Sequence, residues 1–151
     1  MKKVFPLVHK DSLKNLLEDI NNEHLCVWNL LKVKAIEPIR EKLTPIQFIK
    51  ITNDSIIASS EIKVEGNNSK YPITKPFHQT AVGIHLIYDH ELKALQFYEL
   101  NSAIQGWGEK MVMAVLNNPP TDWEIFLLFD YSGGFWKKMQ QKYSQWQWIW
   151  I

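Results

Sequence analysis

The sequence has little of three things that would restrict its function at once: cysteine, charge of one sign and long apolar runs. Cys26 is the only cysteine, so the chain can form no internal disulfide and no zinc site made of several thiolates. The 17 Lys and Arg residues against 16 Asp and Glu give a formal net charge of +1, which does not favour nucleic acid as a partner. No apolar segment approaches the length that spans a bilayer. We therefore expect no metal site, no nucleic-acid partner and no membrane insertion.

The length of the chain and its first residues bear on its organisation. A chain of 151 residues predicts one domain, residues 1–151, with a single core. The apolar run VFPLV, residues 4–8, is shorter than the apolar core of a signal peptide. We therefore expect a cytoplasmic protein.

The first third of the chain has a helical pattern. Ser12 can cap a helix whose apolar residues fall on one face as far as Ile20. The same spacing resumes over Leu25–Leu31, and Pro38 or Pro45 should end that second helix. The sequence thus predicts two helices before the first strand.

A strand pattern begins near residue 47. Residues 47–51 and 55–64 flank Asn53 and Asp54, which favour turns, so this segment predicts a hairpin. The stretch Glu65–Pro76 combines Gly, Asn, Ser and Pro. This composition is typical of a mobile surface loop.

The second half of the chain predicts a second hairpin and then alternating helices and strands. Residues 81–89 and 93–100 are rich in β-branched and aromatic side chains and are joined at His90 and Glu91. The segments that follow are a helix over Met111–Leu116, a strand over Trp123–Phe129, a helix over Phe135–Tyr143 and a terminal strand over Gln145–Ile151. This order of elements predicts an α+β fold.

The terminal strand carries Trp146, Trp148 and Trp150 at a period of two, which places the three rings on one face. Two interpretations are open. The rings either lock the strand into the core or form an exposed aromatic edge through which two copies of the chain associate.

A glycine loop joins the second hairpin to the next helix, in the stretch IQGWGEKMVMAVL, Ile104–Leu116. A loop between a strand and a helix aims free backbone N–H groups at the positive end of the helix dipole, where an anion can bind. Gly106 and Gly108 would let a pyrophosphate approach, and Gln105 could add a donor. Two glycines also suit any tight connection, so the spacing leaves both interpretations open.

Residues 100–116, LNSAIQGWGEKMVMAVL, resemble the acyl-CoA-binding signature of the GCN5-related N-acetyltransferase superfamily. That signature is Gln or Arg, two residues, Gly, one residue, then Gly or Ala. Gln105 and Gly108 fill its first and second fixed positions, Gly106 is the small residue after the first, and Lys110 stands at the last. Phe135–Tyr143 also resembles a later family segment, in which an aromatic pair and a Lys lie on a helix.

The resemblance implies a mostly antiparallel central sheet flanked by helices, and transfer of an acyl group from acetyl-CoA to an amine of a small molecule or a protein. It implies that the main chain beside Tyr98 and Leu100 pairs with the pantetheine arm and that amides of the glycine loop bind the pyrophosphate. The cofactor-binding residues that it implies are Tyr98, Leu100, Gln105, Gly106, Trp107, Gly108, Glu109 and Lys110.

Amine attack on a thioester needs a base near the thioester. Glu99 is the first candidate, because the resemblance places family bases on this strand. It could instead be a surface carboxylate paired with Lys93. Simple alternation puts Tyr98 and Glu99 on opposite faces, so only one of them should enter the cleft. His85 is the second candidate, because the ordinary pKa of histidine suits a base near neutral pH. It could instead be a packed, hydrogen-bonded residue of an apolar strand.

The general acid is less clear from the sequence. Trp136 stands where the family offers a tyrosine, and an indole N–H does not release its proton. Tyr131, just after a predicted strand, could take that role. Lys110 and Trp136 also allow a second hypothesis, in which the chain is an acetyltransferase-like module that binds a protein or a small ligand without catalysis.

Overall fold

The structure is a computed structural model that describes residues 34–43, 46, 48–65, 69–127, 133–144 and 148–150. The predicted helices at Ser12–Ile20 and Leu25–Leu31, together with Tyr131 and Trp146, lie outside these residues. The helices of the described part are α1 (Glu37–Lys42), α2 (Trp107–Leu116) and α3 (Phe135–Lys142), with a 3-10 turn at Lys34–Ile36. Its strands are β1 (Phe48–Ile51), β2 (Ser55–Ser59), β3 (Ile62–Glu65), β4 (Ser69–Pro72), β5 (Val82–Asp89), β6 (Ala94–Ser102), β7 (Glu124–Leu127) and β8 (Trp148–Trp150).

Six of these strands form one mixed sheet in the order β1-β2-β5-β6-β7-β8. The pairs β1–β2, β2–β5 and β5–β6 are antiparallel, whereas β6–β7 and β7–β8 are parallel. Strands β3 and β4 form a separate antiparallel pair. The α+β class predicted from the order of elements is therefore confirmed.

One face of the large sheet packs against the helices and forms the core. Ile84 and Leu86 of β5 are fully buried there with Val112 of α2, and Phe97 of β6 lies 4.9 Å, between ring centroids, from Trp136 of α3. Burial of one such side chain contributes about 1.5–3 kcal/mol. The helical period of α2 and the alternation along β5 point these residues at each other.

The opposite face is covered by the β3–β4 hairpin and by residues 73–81, which link β4 to β5 and are called the strap. The Lys50 ammonium of β1 lies 4.4 Å from the centroid of the Tyr71 ring in β4. The carbonyl oxygen of Ile73 lies only 2.4 Å from the point where a Cβ on Gly83 would stand. Only glycine therefore lets the strap come this close to β5.

A β-bulge interrupts the pairing of β5 with β6. His85 pairs with Glu99 and Leu86 pairs with Phe97, so Tyr98 has no partner in this register. A bulge of this kind shifts the alternation of side chains by one position. As a result Leu100 joins Phe97 on the helix side, where it packs against the core, and Glu99 faces the strap.

Pro38 lies in the first turn of α1, where its missing N–H costs nothing, and α1 ends at Lys42, before Pro45; the predicted helix over Leu25–Leu31 lies outside the described residues. Two other expectations about individual segments are wrong. Residues 55–64 are not one strand, because the chain turns at Ser60 between β2 and β3. The stretch Glu65–Pro76 is not simply a loop, since Ser69–Pro72 pairs with β3.

Other segments agree with the sequence. The hairpins β1–β2 and β5–β6, the helices α2 and α3 and the strand at β7 lie where the patterns predicted them. The backbone of Trp148–Trp150 forms β8 beside β7, which confirms the terminal strand. Its side chains lie outside the described atoms, so both interpretations of the tryptophans stay predictions.

Candidate functional site

A cavity of about 190 Å³ lies along the second half of β6. It is called the β6 cavity. Among the described residues, the last pair of β6 with β7 is Phe97 with Leu127, and β6 runs on to Ser102, a further distance of about 16 Å at 3.3 Å per residue. Phe97–Ser102 line one wall, Pro76 and Phe77 of the strap line the rim, and Leu127, Phe135 and Trp136 line the far side.

The carboxylate of Glu99 lies in the wall of this cavity and is held by two neighbours. The Thr74 hydroxyl donates a hydrogen bond of 3.2 Å to its Oε1. The same Oε1 lies 3.6 Å from Nδ1 of His85, which is within ion-pair distance but too long for a hydrogen bond. The predicted alternative partner Lys93 lies at the far end of β6, about 20 Å away along the strand. Glu99 and His85, proposed separately from the sequence, thus form a pair.

His85 is the more buried member of this pair, with its side chain 16% exposed. Burial, which disfavours the charged imidazolium, lowers the pKa of His85 below 6.5, although Glu99 and Asp54 oppose that shift. The edge of the Tyr98 ring packs against the imidazole, with 4.9 Å between ring centroids. Burial therefore favours the neutral imidazole, which is the form that can accept a proton.

Tyr98 and Glu99 both line the cavity, so the expectation that only one of them could enter the cleft is wrong. Simple alternation fails here because Tyr98 is the extra residue of the bulge. The bulge also takes the backbone of Tyr98 out of the regular ladder with β5. Leu100, the other strand residue implied in cofactor binding, lines the same cavity.

The glycine loop follows directly on β6 and ends in the first turn of α2. Gly106 is the N-cap of the helix, with a φ of +86° that suits glycine, and it is exposed like Gln105. Gly108 is buried, and its amide donates a hydrogen bond of 3.0 Å to the hydroxyl of Ser102. The amide of Trp107 donates to the carbonyl of Ile104.

Gly108 has a packing role that the sequence did not reveal. A Cβ at this position would stand 3.0 Å from the Phe135 ring and 3.4 Å from the Leu100 side chain. The glycine therefore allows α2, α3 and β6 to meet at the end of the cavity. The packing of these three elements accounts for a glycine at position 108 whether or not an anion binds beside it.

A second, more open hollow of about 630 Å³ lies along α2. Gly106 and Lys110 line it together with Lys42 of α1. The Lys110 ammonium lies 4.9 Å from the ring centroid of Trp107. Two lysines thus stand beside the exposed glycine at the positive end of a helix, which is a suitable place for a phosphate.

Glu109, in the first turn of α2, connects that helix to the end of α3. Its Oε1 accepts hydrogen bonds of 2.5 Å from the Lys142 ammonium and from the Tyr143 hydroxyl. Both bonds lower the pKa of Glu109, and the bond from Lys142 has the largest effect. The carboxylate is thereby partly neutralised beside the hollow that would receive a phosphate.

The remaining candidates contribute less to the site. Trp136 is only 6% exposed and forms part of the cavity wall. Within the described ranges, no group of His, Cys, Asp and Glu side chains could hold a metal ion. Thr74 and Phe77 were not predicted, and nothing in the sequence marks them, because their place in the site depends on the path of the strap.

The last two findings concern membrane-spanning helices and similarity to known proteins. No helix in the part of the chain that the structure describes is long and apolar enough to cross a membrane. Comparison of the chain with protein-family models, with curated proteins and with solved structures finds no match.

Proposed function

We propose that the chain is an N-acyltransferase that moves an acyl group from acetyl-CoA to an amine. The observation that carries this proposal is the β6 cavity, which has Glu99 in its wall and extends to Ser102, whose hydroxyl accepts a hydrogen bond from the Gly108 amide in the first turn of α2. A long, thin donor with an acyl group at one end and phosphates at the other matches that arrangement.

The edge of β6 supports the binding of the donor. Residues 98–102 of β6 line the cavity, and in this proposal their backbone groups pair with the ligand. An extended chain with amide groups can bind such an edge as an added strand would. The pantetheine arm of acetyl-CoA has amide groups of this kind.

The start of α2 supports the binding of the phosphates. Gly106 is exposed there, and Lys42 and Lys110 line the hollow beside it. The amide of Gly108 fits this role less well, because Ser102 already accepts its hydrogen bond. The two ammonium groups, together with the helix dipole, would therefore provide most of the attraction for the phosphates.

Glu99 and His85 support the transfer step. The Glu99 carboxylate receives a proton from the acceptor ammonium and passes it to the neutral imidazole of His85, 3.6 Å away. The freed nitrogen lone pair forms a C–N bond to the thioester carbon. The C–S bond would then break, and the thiolate of CoA would leave and take up the second proton, which the attacking nitrogen gives up as the amide forms.

The bulge at Tyr98 supports stabilisation of the oxyanion. Its backbone lies outside the regular ladder with β5 and in the cavity wall. A backbone N–H fixed in such a place can donate to the thioester oxygen as negative charge develops on it. The residue that interrupts the sheet would then be part of the reaction site.

Calorimetric titration with acetyl-CoA and with free CoA tests this proposal directly. We expect saturable binding of both, and release of free thiol when a primary amine is added. Glu99→Gln should retain acetyl-CoA binding and lose turnover by at least about 10²-fold, as is typical for a general base. Absence of binding at millimolar acetyl-CoA would overturn the proposal.

A second candidate is a binding module without catalysis. Two observations favour it: the Gly108 amide is already bonded to Ser102, and the buried Trp136 cannot replace a proton donor. The same titration separates the two functions. A module would bind CoA or an amine and release no thiol. Wild type and Glu99→Gln would then give the same result in the thiol-release assay.

A further inference from the structure

Phe77 is an exposed aromatic residue with an unusual backbone conformation at the rim of the β6 cavity. Its φ is +64°, in the left-handed region that bulky side chains rarely adopt. The residue is 75% exposed, so burial of the ring inside the chain does not compensate for this conformation. Strain of this kind concentrates at places that contact ligands.

The strap holds Phe77 in place from both sides. Before it, Ile73 donates from its amide to the carbonyl of Glu61 at 3.0 Å, and Thr74 bonds to Glu99. After it, the Thr80 hydroxyl donates a hydrogen bond of 3.0 Å to Oε2 of Glu61. The ring is therefore presented at the rim by an anchored segment, and little ordering remains to be done when a ligand binds.

The chemistry around this ring favours one class of ligand. Tyr98 lines the same cavity and is 45% exposed, so two exposed aromatic side chains border one small space. Among the described residues that line the cavity, Glu99 alone carries a charge. Aromatic faces attract flat apolar groups and cations, and a carboxylate attracts an ammonium group.

We propose that the acceptor is a primary amine joined by a short link to an aromatic ring. The ring contacts Phe77 and Tyr98, and the ammonium group contacts Glu99. This inference rests on the proposed function only in treating the bound amine as the acceptor of an acyl group. Binding of the amine itself requires no donor.

The test measures amine binding by calorimetry in the absence of CoA, and turnover separately. The probes are 2-phenylethylamine, propylamine, which lacks the ring, and 2-phenylethanol, which lacks the charge. Wild type should bind 2-phenylethylamine about tenfold or more tightly than either of the others, given the usual size of aromatic and charge-assisted contacts.

Variants of the rim assign this preference to residues. Phe77→Ala should weaken binding of 2-phenylethylamine about five- to tenfold and leave propylamine nearly unchanged, whereas Phe77→Tyr should keep the preference. Leu92→Ala is the matched control, because Leu92 is 76% exposed and lies in the β5–β6 turn away from the cavity. It should change nothing.

The outcomes separate the inference from the proposed function. Binding of 2-phenylethylamine that depends on Phe77, without thiol release from acetyl-CoA, supports the inference and contradicts the acyltransferase. Thiol release with equal preference for propylamine and 2-phenylethylamine overturns the inference and keeps the acyltransferase. An equal loss for all three probes in Phe77→Ala also overturns it, since the ring would then be structural.

Discussion

Replacement of Gly83 by alanine should push the strap away from the sheet and disturb the candidate site without touching any of its residues. The added Cβ would stand 2.4 Å from the carbonyl oxygen of Ile73 and 3.2 Å from that of Ala58, whereas real Cβ atoms essentially never approach closer than 3.0 Å. The Ile73 backbone therefore has to move by at least about 0.6 Å. Thr74 is the next residue, and its hydrogen bond to Glu99 is already 3.2 Å long, so that bond should break.

The expected cost has two parts. Overpacking of this kind costs about 1–3 kcal/mol, and loss of the Thr74 bond adds about 1 kcal/mol. Gly83→Ala should therefore lower the free energy of unfolding by about 2–4 kcal/mol, and the Tm by about 5–15 °C for a chain of this length. The pKa of His85 should rise towards 6.5, because burial is the main cause of its lowering.

Urea denaturation measures the first effect and an NMR titration of the His85 ring measures the second. Gly133→Ala is the matched control, since its Cβ would meet nothing within 4 Å and its φ of +69° adds only the backbone cost of about 1–2 kcal/mol. That control should leave the pKa of His85 unchanged. A Gly83→Ala protein within about 0.5 kcal/mol of wild type and with an unshifted His85 pKa would refute the packing of the strap on β5.

Three other predictions concern titration and the glycine loop. Because burial lowers the pKa of His85, the acid limb of kcat/KM should lie below pH 6.5. Wild type should also lose stability relative to His85→Gln as the pH falls below 6.5, since the unfolded chain takes up the proton at a higher pH than the folded chain does. Ser102→Ala frees the amide of Gly108, so it should reduce stability by about 0.5–2 kcal/mol and strengthen acetyl-CoA binding in a calorimetric titration; weaker binding would argue against an anion at this amide. The pKa of Glu109 is lowered mainly by its bond to Lys142, so this pair should stabilise the fold above pH 4.5. The stabilisation should be lost as the pH falls through the lower pKa that Glu109 has in the folded chain. The urea midpoint of Glu109→Gln should not show this pH dependence.

The parts of the fold that sequence reasoning predicted are those with a strong local pattern. The alternation along β5, the turn residues Asn53 and Asp54 and the helical period after Gly106 each follow from interactions between near neighbours in the chain. These patterns were enough for the α+β class. They did not mark the candidate bases: Glu99 was suggested by the family resemblance of its strand, and His85 by its ordinary pKa.

The remaining parts depend on contacts between distant residues. The strap has the composition of a loop, and its path over β5 is set by the contact of Ile73 with Gly83, which no local pattern encodes. The pairing of Glu99 with His85 depends on the register of β5 with β6. Phe77 reaches the rim of the cavity only because residues before and after it are anchored, so its position was not predictable.

The bulge at Tyr98 divides β6 into two parts, in which the alternation of side chains between the faces of the sheet differs by one position. Side chains before it are assigned to a face by counting from the turn at His90, and side chains after it by counting back from the glycine loop. Removal of Tyr98 would leave Phe97, Glu99 and Leu100 in regular alternation on their present faces, because their partners on β5 are already consecutive. Removal of one residue elsewhere in β6 would instead exchange the faces on one side of the deletion, turning the Glu99 carboxylate towards the apolar helices or Leu100 towards the strap. When other chains are aligned to this one, a gap at Tyr98 therefore preserves the site, and a gap at another position of the strand inverts part of it.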